Sequence, residues 1–210
     1  MPIPARDIAL GTRVPWFKVT AVGSDEVLTP NSAKDPNTGP DADPATAWRP
    51  LLVMFLCNHS PYVRKIEDDL SVMIREFQAR GLYVIAVSPN DPISYPSDDE
   101  SHILEQIARA GFTFHYALDE DQTVARAFEA SCTPEFFLYG DMNRGGRLAY
   151  HGEYDSSRLS YVDGPSGAPL RAAIEAVLHG KTFRDDQQLS FGCSVKWKSG
   201  QDATVALAMG

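Results

Sequence analysis

The sequence predicts an α/β fold: a central mixed sheet with helices over both faces. Three observations carry this. Leu51–Leu56 and Leu82–Val87 are unbroken apolar runs, the mark of strands buried on both sides. The segment between them has its apolar residues at helical spacing. Further on, Glu135–Tyr139 and Arg147–Tyr150 flank the turn-forming stretch GDMNRGG as the two arms of a hairpin. Strands that alternate with helices and then finish in a hairpin give a mixed sheet rather than a wholly parallel one.

Taken in order, Leu10–Leu28 reads as an N-terminal hairpin turning near Gly23-Ser24. Thr29–Pro50 is proline-rich and reads as a surface loop. After the first buried strand, Val63, Ile66, Leu70, Met73, Ile74 and Phe77 form one apolar helix stripe. Ser60 is placed to cap that helix, Pro61 to occupy its first turn and Gly81 to end it. A proline-rich loop follows Val87, then a helix with Ile103, Leu104 and Ile107 stopped by Gly111, and a short helix with Val124 and Phe128. Leu170–Leu178 is the last helix, ending at Gly180. One domain over residues 1–180 and a C-terminal tail over 181–210, without periodicity, are expected.

The chain has 210 residues, 43% of them apolar and 22% charged, which suits one sizeable core. Its net charge of -9 argues against nucleic acid or an anionic membrane as partner. Three cysteines do not make a disulfide-stapled scaffold and suggest a reducing compartment. With no apolar leader at "MPIPARDIALG" and no span-length apolar run, a cytoplasmic location is expected.

The chemistry is expected at Cys57, at the carboxyl end of the first buried strand and directly before a helix. Free N–H groups and the positive end of the helix dipole favour a thiolate there, and His59 adds a cation two residues on. A fall in pKa from about 8.5 to about 6 would raise the thiolate fraction at pH 7 roughly 30-fold. The same shift lowers intrinsic nucleophilicity by roughly 10- to 18-fold, so the larger gain is a better leaving group. Such a sulfur suits disulfide exchange. The other reading of Cys57 is an inert buried thiol.

Other chemistries have less behind them. The remaining histidines, His102, His115, His151 and His179, are scattered, and no metal site or cofactor is expected. There is no phosphate-binding glycine loop. The aromatics of "EFFLYG" and "GFTFHY" read as core rather than as a stacking surface.

The stretches "FLCNHSPYV", "NDPISYP", "CTPEFFLY" and "GCSVKWK" together resemble a bacterial subgroup of the thioredoxin-like redoxins, beside the alkyl hydroperoxide reductase and thiol-specific antioxidant proteins. The resemblance runs from about Leu10 to Lys198. It implies a thioredoxin-like fold, Cys57 as the attacking cysteine, Pro134 as a cis-proline packed against it, and His59 in the dipeptide that tunes the redox potential. Asn58, Thr133 and Pro134 would bind substrate, with the Thr133 backbone offered to an extended segment. The subgroup's usual site is C-N-H-C-P-Y-V, and Ser60 stands where its resolving cysteine belongs.

Ser60 leaves three readings: a monothiol enzyme resolved by glutathione or another thiol, a second sulfur from Cys132 or Cys193, or a serine placed to trap a mixed disulfide. The expected function is thiol–disulfide exchange through Cys57 on protein or small disulfides. One alternative is a peroxiredoxin-like peroxidase acting on hydroperoxides, resolved by Cys132 or Cys193. Against it, the P-x-x-x-T-x-x-C pattern keeps Pro50 but has Met54 at the threonine. The third reading is a redox-inactive binding module. An acidic Cys57 favours the enzymes, and a thiol pKa at or above about 8.5 the binder.

Overall fold

The computed structural model describes residues 1–36, 47–156, 164–183 and 187–199. The central sheet has five strands: β4 (Leu51–Phe55), β5 (Tyr83–Ser88), β6 (His115–Leu118), β8 (Glu135–Gly140) and β9 (Arg147–Gly152). Their order is β6-β5-β4-β8-β9; the first three run parallel, and β8 runs antiparallel to both β4 and β9. Helix α1 (Pro61–Gln78) crosses from β4 to β5, and α2 (Glu100–Ala110) from β5 to β6. Two further helices among the described residues are α3 (Thr123–Ala127) and α4 (Ala168–Leu178).

The period of two in β4 divides its side chains between two cores. Leu52, Met54 and Leu56 meet α1, α2 and α4 through residues such as Leu70, Ile103 and Ile174. Leu51, Val53 and Phe55 meet α3 and the N-terminal region through Val124, Phe128, Phe17 and Leu28. Each such buried side chain contributes about 1.5–3 kcal/mol, so β4 is held from both faces. On the second face, Phe55, Phe128 and Phe137 pack edge-on with centroids 5.3–5.8 Å apart.

Helix α1 ends as expected. The Leu82 N–H reaches the Phe77 carbonyl and the Gly81 N–H reaches that of Gln78, with Gly81 at φ 97°. The N-terminal hairpin is smaller than expected, β2 (Val19–Thr20) against β3 (Val27–Leu28). The loop after it holds a short 3-10 turn, Pro30–Ala33, and part of it lies outside the described residues.

Four strands were not foreseen. β6 follows α2 directly, behind the Gly111 that stops it. β1 (Pro2–Pro4) and β10 (Phe191–Ser194) join β7 (Cys132–Thr133) in a small antiparallel sheet of order β1-β10-β7. The described part of the expected tail is therefore hydrogen-bonded into the fold. Cys193 pairs with Thr133 and with Pro2, and Ser194 with Cys132.

Candidate active site

Cys57 and Thr133 meet because of strand register. Phe55 on β4 pairs with Glu135 on β8, so two residues further along, Cys57 and Thr133 face one another where the sheet ends. The Cys57 Sγ lies 2.9 Å from the Thr133 Oγ1. The Thr133–Pro134 bond is cis, as the resemblance implies. Cys57 and Thr133 are both buried.

The electrostatics of the sulfur differ from expectation. Burial pushes the Cys57 thiol up to about 12, and the Asp98 carboxylate adds to the rise. The Thr133 hydroxyl and the Ser60 backbone N–H pull the other way without offsetting it. The helix start does aim a donor at the sulfur, but the sulfur is enclosed. In this arrangement Cys57 is a neutral thiol at pH 7, and the expected thiolate is not formed.

His59 does not serve the sulfur in the way expected. Its Nδ1 lies 2.5 Å from Asp98 Oδ2, its backbone N–H donates to Asp98 Oδ1 at 3.0 Å, and its ring stacks on Tyr95. Asn90 Nδ2 donates to the same carboxylate at 2.8 Å. Burial pulls the Asp98 carboxyl up, but the bonds from His59 and Asn90 outweigh it and hold the group below the ordinary carboxylate range. Cys57, His59 and Asp98 bring one ligand atom each within 4.8 Å of one another, a grouping that could hold a metal ion. Asp98 is already committed to His59 and Asn90.

Ser60 sits at the N-cap but makes no capping bond. Its hydroxyl instead donates across to the Thr133 carbonyl at 3.3 Å. Asn58 is buried, and its side chain is used internally. It donates to the Ser97 carbonyl and accepts from Arg64 (3.1 Å) and Arg109 (2.9 Å). Arg109 also pairs with Glu67, whose Oε1 accepts from Gln106, and Gln106 in turn accepts from Tyr116. The turn after Cys57 is thus tied through α2 into the core.

Of the two other sulfurs, Cys132 is buried and directed at the Pro134 carbonyl, 3.8 Å away. Burial, followed by Glu135, keeps that thiol well above its ordinary range. Cys193 is only partly buried. The backbone edge of Thr133, expected to receive an extended substrate, is occupied by the chain's own β10. Met54, at the position of the missing threonine, is fully buried in the core.

Asp98, Asn90, Glu67 and Arg109 were not identified from the sequence. Asp98 lies 39 residues from His59 in a stretch that reads only as loop, and no local pattern marks it.

A strand leading to a cysteine, a helix, and a facing Thr–cis-Pro at the sheet end define a thioredoxin-like fold. Solved structures agree. One is a thiol:disulfide interchange protein of the thioredoxin family from Chlorobium tepidum TLS, 15% identical (TM-score 0.53, 82% of this chain and 99% of that one), which bears on the fold alone. The AhpC/TSA family model matches residues 39–148, and the chain belongs to that family. It is similar over nearly its whole length to a hypothetical protein from Sinorhizobium meliloti 1021, at 34% identity (TM-score 0.83, 94% of this chain and 99% of that one). An uncharacterized conserved protein from Geobacillus kaustophilus is 29% identical (TM-score 0.83, 95% and 98%). No curated protein matches.

Proposed function

We propose that the protein is a thiol–disulfide oxidoreductase in which Cys57 exchanges with protein or small-molecule disulfides through a mixed disulfide. The observation that carries this is the contact between Cys57 and Thr133 beside the cis Pro134, at the end of the sheet and the start of α1. The Thr133 hydroxyl and the Ser60 N–H are the groups that lower the cost of a thiolate there. They act fully once Cys57 is uncovered, because desolvation is the largest factor raising its pKa. Ser60 contributes no sulfur, so the bound substrate must be released by another thiol.

A second reading, the redox-inactive binding module, is favoured by one observation. Cys57 is enclosed and protonated, with a pKa above the value that divides the two readings. The peroxidase reading has less support, since Met54 offers a peroxide no hydrogen bond from β4.

Peptide mapping of the reduced protein after oxidised glutathione, with hydrogen peroxide in parallel, separates the three. Exchange is expected to place glutathione or a disulfide on Cys57. Oxidation of Cys57 by peroxide alone would favour the peroxidase. No modification of Cys57 by either oxidant would leave the binding module.

A further inference from the structure

Cys193 and Cys132 both lie on the small sheet beside Cys57, and the register separates them. Cys193 is the direct antiparallel partner of Thr133, and such partners project from the same face with Cβ atoms about 4.5–5.5 Å apart. On that face the Thr133 hydroxyl touches the Cys57 sulfur. Phe191, two residues before Cys193 and so on the same face, packs edge-on against Tyr62 at 5.8 Å. Tyr62 is the second residue of α1, the helix that starts just after Cys57. Two independent contacts therefore aim this face of β10 at the Cys57 turn. Cys132 pairs with Ser194 and projects from the opposite face. Cys193 is also the least buried of the three thiols.

We propose that Cys193 is the second redox sulfur, taking the part that Ser60 cannot. This rests on the exchange reading above. Cys57 attacks a substrate disulfide, forming a mixed disulfide and releasing one substrate thiolate. The Cys193 thiolate then attacks the Cys57 sulfur. A Cys57–Cys193 bond forms, the bond from Cys57 to the substrate breaks, and the second half leaves as a thiolate that takes up a proton. The two thiols are oxidised by two electrons and the substrate disulfide is reduced by two. A disulfide needs Cα atoms within about 7 Å, and the Thr133 hydroxyl stands on the face between the residues, so β10 and the Cys57 turn must close on one another.

The test is non-reducing peptide mapping of the full-length reduced protein over a time course with oxidised glutathione, in the wild type, C193S, C132S and G192A. The wild type and C132S are expected to yield a Cys57–Cys193 cross-link and to release both halves of the glutathione disulfide. An internal thiol acts at an effective concentration of about millimolar, so C193S should lengthen the life of the Cys57–glutathione adduct roughly 100-fold at about 10 micromolar external thiol. In G192A the new Cβ would lie 2.1 Å from the Thr133 carbonyl oxygen, forcing β10 away from β7. That variant should form the adduct but lose the cross-link, while both serine variants keep the wild-type circular dichroism. A wild-type adduct as long-lived as that of C193S, or a cross-link through Cys132, would overturn the proposal. If Cys57 takes up no glutathione even in C193S, it is the exchange reading that fails, and this proposal falls with it.

Discussion

The Cys57 sulfur and the Thr133 hydroxyl, 76 residues apart in the chain, lie 2.9 Å from one another at the end of the sheet. That hydroxyl is the strongest of the groups favouring the thiolate. Hydrogen bonds to charged groups are worth about 1.5–3 kcal/mol, of which the competing burial leaves only part visible. Thr133→Val keeps the shape and removes the donor. It is expected to slow iodoacetamide alkylation of Cys57 by about 3- to 10-fold at pH 8, on the scale of one pKa unit or less. Mass spectrometry of the alkylated peptide gives the rate, and an unchanged rate would remove the hydroxyl from the chemistry.

A thiol pushed up to about 12 also has a definite pH signature. Alkylation of Cys57 should rise about tenfold per pH unit from pH 7 to pH 10 without a plateau, because the thiolate stays a minor species throughout. An acidic thiol would level off near its pKa. Stability moves in the opposite sense. The folded pKa is above the unfolded value of about 8.5, so the contribution of Cys57 is fully present below that value. It is lost as the pH rises toward 12. Urea midpoints for the wild type and C57S should therefore converge as the pH is raised above 9.

Asp98 is the mirror case. Its folded pKa is depressed, so its contribution is present above the unfolded value of about 3.9 and lost as the pH falls through the folded one. Asp98→Asn should cost about 1–3 kcal/mol at pH 7 by weakening its bonds to His59 and Asn90. The gap from wild type should narrow below pH 3 in urea titrations. The same variant removes a charge that raises the Cys57 pKa, so alkylation of Cys57 should become faster. Slower alkylation would mean that His59, once released, matters more than the charge.

Arg109 links Asn58 to the buried Glu67. Arg109→Ala leaves that carboxylate with the Gln106 amide as its remaining hydrogen-bond partner among the described residues, at a cost of about 1–3 kcal/mol after allowing for the half-exposed guanidinium. The urea midpoint should fall, and exchange at the amides of residues 57–60 should speed up in hydrogen–deuterium measurements. A loss of stability without faster exchange there would separate the network from the site.

Ser60→Cys places a second sulfur in the C-x-x-C position, at a fully buried site beside the Thr133 carbonyl. Mild oxidation should then join Cys57 to the introduced thiol and leave Cys193 reduced, as mapping of the oxidised protein would show. A cross-link still running to Cys193 would mean that β10 outcompetes the helix start.

Much of this was legible in the sequence. The apolar runs of β4 and β5 and the stripe of α1 marked the core because burial on both faces leaves an unbroken signature. Cys57 stood out through its position relative to those strands, and Thr133 and Pro134 through the family resemblance. β6 was missed because His115–Leu118 is four residues long and only half-buried at both ends. β10 was missed because Phe191–Ser194 is partly exposed around Gly192, so it carries no clear alternation. The protonation state of Cys57 was misjudged because strand-end and helix-start positions report the dipole but not the depth of burial. Asp98 could not be found, since a single acid in a loop becomes a partner of His59 only when the chain is folded.

One amide adds a further link between the C-terminal segment and the turn after Cys57. Asn90 donates to the carboxylate that holds His59, and its oxygen accepts from the backbone of Lys196, two residues beyond β10. A displacement of the C-terminal strand from Thr133 therefore pulls on a side chain bonded to the carboxylate that holds His59. Uncovering the sulfur and reorienting its imidazole neighbour are in that sense one mechanical event, with Asn90 as the coupling pin.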